Sequence, residues 1–177
     1  NQVYVAGSAA NTTGGINAQF VSAGATHACA INGSNNAEYR RVPLGPASSI
    51  PAGGYLVIAT STVTVQGTGV RYTPPTSAWP ATDAFQNGAP DGIALVNTAN
   101  LTVIDKLAYE GAMTAVTITG FPDTINLVEM TALAASVADS NAAVGAIARI
   151  PNGMDTNTSS VDWAFTSTIT PGAPNAP

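Results

Sequence analysis

Residues 86–110 read QNGAPDGIALVNTANLTVIDKLAYE, and this stretch decides the fold of the chain. It begins with turn-forming residues, continues as the apolar run IALV, and turns again through the polar residues NTAN. The segment after that turn alternates in polarity, and its apolar face is predicted to consist of Leu101, Val103, Leu107 and Tyr109. The pattern predicts a β-hairpin, which needs further strands around it to be stable.

Short apolar or alternating segments with the same character lie on both sides of this hairpin. They predict strands over residues 2–6, 18–22, 26–31, 38–42, 55–59, 62–65, 116–119, 144–150 and 163–165. Asn126 and Glu129 have the spacing of a helix cap, so residues 126–138 are compatible with a short helix or with an irregular segment. Many short strands between Gly, Pro and Asn turns indicate an all-β sandwich or barrel. We expect one domain over residues 1–177, in which residues 171–177 form a rigid, unstructured Pro-rich tail.

The composition excludes several classes of partner. Charged residues make up 8% of the chain, against about a quarter in a typical soluble domain. Five Lys and Arg residues in total cannot form the basic surface that nucleic acid or an anionic membrane requires. No apolar run is long enough for membrane insertion. The abundance of Thr, Asn and Ser, with a single Cys, favours an extracellular or cell-surface location after removal of an upstream signal.

Four motifs, in the same order along the chain, resemble those of the bacterial lamin-tail domain family. They are SIPAGGYLVI at 49–58, QNGAPDGIALV at 86–96, DKLAYEG at 105–111, and the closing segment IARIPNGMDTNTSSVDWAFTSTITPGAPN at 147–175. The resemblance implies an immunoglobulin-like β-sandwich of secreted type. It also implies a module often attached to nucleases or other hydrolases, in a family without recognised catalytic residues.

The resemblance is weakest at the beginning of the chain. The segment QVYVAGS at 2–8 resembles the family's EFVELYNxGS strand only loosely, and the INEV-like strand that precedes it in the family has no counterpart. Either the chain starts late or another segment fills the missing position. An open strand edge attracts a donated strand. We therefore expect an assembly edge, or an exchanged strand, formed by Gln2, Val3, Tyr4, Val5 and Ala6.

Two predicted strands, at 55–58 and 93–96, are apolar on both sides, although a two-layer sandwich buries only one side of each sheet. The long segment 66–90 could cover the second side from within the chain, and another subunit could cover it from outside. These features favour a secreted structural subunit that self-associates as a homo-oligomer or polymer, into a filament or surface layer. The alternative is a binding module that docks on a polymer or a partner enzyme through Tyr72, Trp79 and Phe85.

The residues that could carry catalysis do not form a recognisable motif. His27 and Cys29 share one face of a predicted strand, and two ligands do not make a closed zinc site. There is no GxSxG motif to activate a serine beside the single histidine. Asp105 shares the apolar face of its strand, so its carboxylate must be hydrogen-bonded and is expected to brace a neighbouring loop. We expect a protein that is not an enzyme.

One loop has the alternating oxygen-bearing residues of a cation site. Its candidate calcium ligands are Asp155, Asn157, Ser159 and Asp162. The loop lacks the glycine and the distal glutamate of an EF-hand. The other interpretation is a loop of Asx turns in which the same side chains bond to the backbone. We expect no cofactor, with calcium as the alternative.

Overall fold

The computed structural model describes residues 2–6, 17–21, 27–45, 50, 53–75, 89–138 and 144–177, the first two ranges as backbone only. The described chain is almost entirely β-strand and irregular structure with one helical turn, which confirms the all-β prediction. No helix in these ranges is long and apolar enough to cross a membrane. The elements are β1 (Gln2–Ala6), β2 (Asn17–Val21), β3 (His27–Asn32), β4 (Ala37–Pro43), β5 (Tyr55–Ile58), β6 (Val70–Tyr72), β7 (Asp91–Asn97), β8 (Thr102–Tyr109), β9 (Ala146–Arg149), α1 (Ser159–Asp162) and β10 (Trp163–Thr166).

The predicted hairpin is present as β7 and β8, within a four-stranded sheet of order β4-β3-β7-β8. The register shifts between Leu95 and Val96, so that Leu95 pairs with Asp105 whereas Val96 pairs with Val103. This bulge reverses the side-chain alternation in the first half of β8. Val103 therefore packs on the face opposite to Leu107, and the single apolar face predicted for residues 101–109 is wrong in this half.

The second four-stranded sheet has the order β2-β1-β5-β6, and β9 pairs with β10 in a separate two-stranded ladder. β1 pairs antiparallel with β2 on one side and parallel with β5 on the other. Both rows of its backbone hydrogen-bonding groups are therefore used within the chain. This pairing contradicts an open assembly edge at Gln2, Val3, Tyr4, Val5 and Ala6, whereas the alternative, an exchanged strand formed by the same residues, stays a prediction.

One buried cluster draws side chains from both four-stranded sheets and from the β9–β10 ladder. The sheets share this core in the way that the layers of a sandwich do. The more specific immunoglobulin-like topology stays a prediction. The buried members of the cluster are Ala28, Ala30, Val42, Leu44, Leu56, Ile58, Ile93, Leu95, Leu107, Tyr109, Leu133, Ile147 and Trp163.

The outer face of the β3–β7–β8 sheet is covered by the chain itself. Residues 113–128 cross this face and bury a second apolar cluster. The segment is held by isolated bridges, Val116 with Ile125 and Thr117 with Ala37, so the strand predicted at 116–119 does not form. No helix forms over 126–138 either. The segment contributes Met113, Val116, Ile118 and Leu127 to the buried cluster, together with the partly buried Phe121, Ile125 and Val128.

The outer face of β5 is also covered from within. Val57 and Ala59 pack against Val63 and Val65, in the segment that sequence alternation had predicted to be a strand. Instead of pairing in a sheet, this segment is held by the Arg71 guanidinium, which donates to the carbonyl oxygens of residues 61 and 63. Residues 63–65 and 113–128 thus cover these faces from within the chain, and residues 76–88 of the predicted covering segment 66–90 lie outside the described residues.

The Pro-rich tail is bound to the body of the domain, which corrects the prediction of an unstructured end. The backbone N–H of Gln66 donates to the carbonyl oxygen of Pro171 at 2.6 Å. The Thr166 hydroxyl donates to the carbonyl of Ala176 at 2.9 Å. Gly172 has a φ of +90°, and a Cβ there would lie 2.9 Å from the Cα of Gly69. Glycine is required because the tail and the turn at 66–69 approach so closely.

Candidate functional site

The most distinctive polar feature of the described chain is a buried arginine, Arg149, at the end of β9. All four residues of this strand are buried, and Arg149 shares the parity of Ile147, which belongs to the central core. Its side chain is 0% exposed. A guanidinium removed from water in this way is stable only if carboxylates and hydrogen bonds replace its hydration.

Four carboxylates from separate parts of the sequence surround Arg149. Asp105 comes from β8, Glu129 from the segment after β8, Asp155 from the loop before α1, and Asp162 from α1 itself. The separations from the guanidinium nitrogens are 2.8 Å for Asp105, 3.3 Å for Asp155, 3.4 Å for Asp162 and 3.9 Å for Glu129. We call these five residues the Arg149 cluster.

Two neutral groups complete the surroundings of the arginine. Its Nη1 donates to the carbonyl oxygen of Met154 at 2.9 Å. The guanidinium carbon lies 4.7 Å from the centre of the Trp163 ring, within the range of a cation–π interaction. The expectation that Asp105 would be buried and hydrogen-bonded is correct, and its partner is Arg149 on β9.

In the loop predicted to bind calcium, two carboxylates accept hydrogen bonds from groups of the loop itself. Asp162 accepts hydrogen bonds from the Thr156 amide and hydroxyl, both at 2.8 Å, and from the Thr158 amide at 3.2 Å. Asp155 accepts from the amide of Asn157, which is the geometry of an Asx turn. The loop therefore follows the second of the two interpretations, in which carboxylates satisfy backbone donors.

The four candidate ligands are only partly brought together. Asp155 and Asp162 lie near each other beside Arg149, whereas Asn157 is exposed, with a left-handed φ of 56°. Ser159 is buried, and its amide donates to the carbonyl of Glu129. Carboxylate oxygens of Glu129, Asp155 and Asp162 lie within 4.8 Å of one another. The guanidinium of Arg149 already provides these oxygens with a cation, and calcium stays an untested alternative.

Arg149 and Glu129 are the members of the cluster that the sequence did not mark as site residues; Glu129 is interpreted there as part of a helix cap. Its Oε2 is buried without a hydrogen-bond partner. Burial, followed by the charge of Asp105, raises the pKa of the Glu129 carboxyl to about 7, against the opposing effect of Arg149. Because Asp105, Glu129 and the 155–162 segment lie far apart in the sequence, no local spacing signals that Glu129 belongs with the other carboxylates.

The single histidine and the single cysteine lie on β3, away from this cluster. Thr98 Oγ1 is 3.5 Å from His27 Nδ1, and burial followed by the charge of Arg41 lowers the pKa of the imidazole. Cys29 is buried in the outer apolar cluster, and burial raises the pKa of its thiol to about 12. A thiol with that pKa is protonated at neutral pH and is a poor nucleophile.

The structure addresses one of the three aromatic residues predicted to bind a partner. Tyr72 is partly buried and packs against the central core, which gives it a structural role. Trp79 and Phe85 lie outside the described residues.

Comparison with protein-family models finds no family that matches the chain. Comparisons with curated proteins and with solved structures also give no match. The lamin-tail resemblance accordingly stays a prediction that depends on the quoted motifs.

Proposed function

We propose that the chain is a non-catalytic extracellular structural module that associates with further copies of itself. The observation that carries this proposal is a pair of exposed apolar side chains on adjoining segments. Met130 is 84% exposed and Val161 is 56% exposed. The amides of Ser159 and Ser160 donate to the carbonyls of Glu129 and Thr131, so the two segments that carry these side chains run side by side. We call Met130 and Val161 the apolar pair.

The backbone conformation of Met130 supports a role of its exposed side chain in contacts between copies. Met130 has a φ of 48°, in the left-handed region that side-chain-bearing residues seldom adopt. The flanking hydrogen bonds to residues 159 and 160 hold this conformation and direct the side chain outward. An exposed apolar side chain whose position is fixed by its own backbone is available to pack against another molecule.

The charge distribution favours contacts between copies. Many charged side chains of the described residues bond to other groups of the same chain. They are the members of the Arg149 cluster, Arg41 with Glu38, Arg71 with two carbonyl oxygens, and Lys106 with the carbonyl oxygen of Asn126. Internal bonding leaves few charges on the surface to repel a second copy. It also gives no indication of a nucleophile activated by an adjacent base, the arrangement that nucleophilic catalysis requires.

Association by strand pairing at β4 is disfavoured by the same charges. Glu38, Arg40 and Arg41 lie on this edge strand, and Pro43 ends it. The Glu38 amide donates to the carbonyl of Thr117, which occupies part of the edge. Charged residues and proline are the usual means of preventing edge-to-edge pairing. The proposal therefore assigns contact between copies to side-chain packing at the apolar pair.

The test is the size of the purified chain at increasing concentration, by sedimentation velocity and light scattering followed by electron microscopy. We expect concentration-dependent association in the wild type and its loss in the double variant Met130→Glu/Val161→Glu. The matched control is Val70→Glu/Leu101→Glu, which replaces two exposed apolar side chains elsewhere and should still associate. A wild type that remains monomeric throughout the series contradicts the proposal, as does equal association of both double variants.

A further inference from the structure

Glu129 is the surplus carboxylate of the Arg149 cluster. Arg149 bonds directly to Asp105 at 2.8 Å, and Asp155 and Asp162 lie closer to its guanidinium than Glu129 does. Asp162 also has three donors from the neighbouring loop. The buried Oε2 of Glu129 has no hydrogen bond to replace its lost hydration. Ionisation of Glu129 therefore adds a poorly compensated negative charge to the site.

The charged groups around Glu129 come from four parts of the chain. Asp105 and Lys106 belong to β8, Arg149 to β9, Asp155 to the loop before α1, and Asp162 to α1. Lys106 donates from Nζ to the carbonyl of Asn126, so its charge lies towards the surface rather than against the carboxylates. One buried guanidinium thus faces four acidic side chains when all are ionised.

The backbone of Glu129 forms part of a clasp between two segments. Its carbonyl oxygen accepts from the amide of Ser159 at 3.1 Å, and the carbonyl of Thr131 accepts from Ser160 at 3.2 Å. These two hydrogen bonds join residues 129–131 to the first half of α1. Repulsion between an ionised Glu129 and the carboxylates of the cluster acts directly on this junction, because Asp162 lies at the other end of the same short helix.

We propose that Glu129 makes the clasp between residues 129–131 and α1 sensitive to pH, closing it when the carboxyl is protonated and loosening it when the carboxyl is ionised. The inference does not require self-association, since it concerns a junction within one chain. It assigns the chain a response to the pH of its surroundings that no local sequence pattern indicates.

The direction of the response follows from the proton balance. The pKa of the Glu129 carboxyl is about 7 in the folded chain, against an ordinary value of 4.5. The folded state therefore holds a proton that the open state releases between these two values. The contribution of Glu129 to closure is complete below the ordinary pKa and is lost as the pH rises through about 7.

Hydrogen exchange at the clasp tests the proposal. The readout is the protection of the Ser159 and Ser160 amides at pH 5 and pH 8, after correction for the intrinsic pH dependence of exchange. In the wild type we expect protection to fall at least about tenfold between pH 5 and pH 8, and about 70-fold at most if the open state has an ordinary pKa. In Glu129→Gln, protection should be independent of pH. The matched control, Asp123→Asn, removes an exposed carboxyl and should behave as the wild type does.

Three outcomes would overturn the inference: equal corrected protection at the two pH values in the wild type, retention of the full pH dependence in Glu129→Gln, or its loss in Asp123→Asn. If Glu129→Gln does not fold, the side-chain carboxyl of Glu129 is titrated in the wild type by carbon NMR. A midpoint near 7 that coincides with the change in amide protection supports the proposal. A midpoint at or below 5, or one that does not coincide with that change, contradicts it.

Discussion

Arg149 shows how one residue can organise several parts of a chain that carries few charges. Its side chain is fully buried between elements that are distant in sequence, and its partners come from β8, α1 and two irregular segments. A buried ion pair is weak evidence for net stabilisation, because the cost of desolvation offsets the attraction. Its geometry is nevertheless directional, so it fixes how these segments sit relative to one another.

Removing the Arg149 cation alone should greatly lower the free energy of unfolding. Arg149→Met leaves four acidic side chains without their shared partner, and the loss of one member of a buried pair costs about 3–5 kcal/mol. The matched variant Arg41→Met removes a partly exposed cation, and Glu38 keeps the hydrogen bond from the Thr119 amide, so this loss of stability should be clearly the smaller one. Urea unfolding at neutral pH measures both. Equal losses in the two variants would show that the Arg149 cluster does not contribute as argued.

Some secondary-structure elements follow from the local sequence, and others depend on tertiary contacts. The β7–β8 hairpin follows from turn residues and an apolar run, and it is present. The bulge beside Leu95 inserts one residue into β8 and changes which side chains face inward, although nothing in the local polarity pattern marks it. The predicted strands at 62–65 and 116–119 alternate correctly but instead cover the outer faces of the sheets, because tertiary packing overrides local preference.

The cover over β7 depends on a glycine within the strand. A Cβ at Gly92 would lie 2.5 Å from Leu127 Cδ1 and 3.2 Å from the carbonyl oxygen of Leu107, so the covering segment fits only because that Cβ is absent. Gly92→Ala should cost about 1–3 kcal/mol through overpacking. The control Gly45→Ala places a methyl group in open space and should change the free energy of unfolding by about 0.5 kcal/mol or less. Thermal and urea unfolding compare the two, and an equally mild effect at both positions would contradict the packing argument.

At the scale of the whole molecule, the described chain covers its own apolar faces and anchors its own tail. The sequence indicated that these faces needed cover, but the covering segments come from tertiary contacts that no single stretch reveals. The same reasoning applies to the Arg149 cluster. The sequence marks Asp105 as a buried carboxylate and Asp155 and Asp162 as candidate ligands, whereas Arg149 and Glu129 join them only where four segments meet in the fold. The proposed association between copies is therefore argued from exposed side chains, and an exchanged strand at residues 2–6 stays a prediction.

Because the Arg149 guanidinium already supplies the buried carboxylates with a cation, we predict that calcium does not stabilise the protein. Calcium takes six to eight oxygen ligands, and the carboxylates nearest to such a geometry already face Arg149 within 3.9 Å. A ligand that binds only the folded state raises the melting temperature as its concentration rises. We therefore expect the melting temperature at pH 7 to be unchanged between excess EDTA and millimolar calcium, with magnesium at the same ionic strength as the control. A calcium-specific increase that is present in the wild type and absent in Asp155→Asn would contradict this expectation and would assign the loop to metal binding.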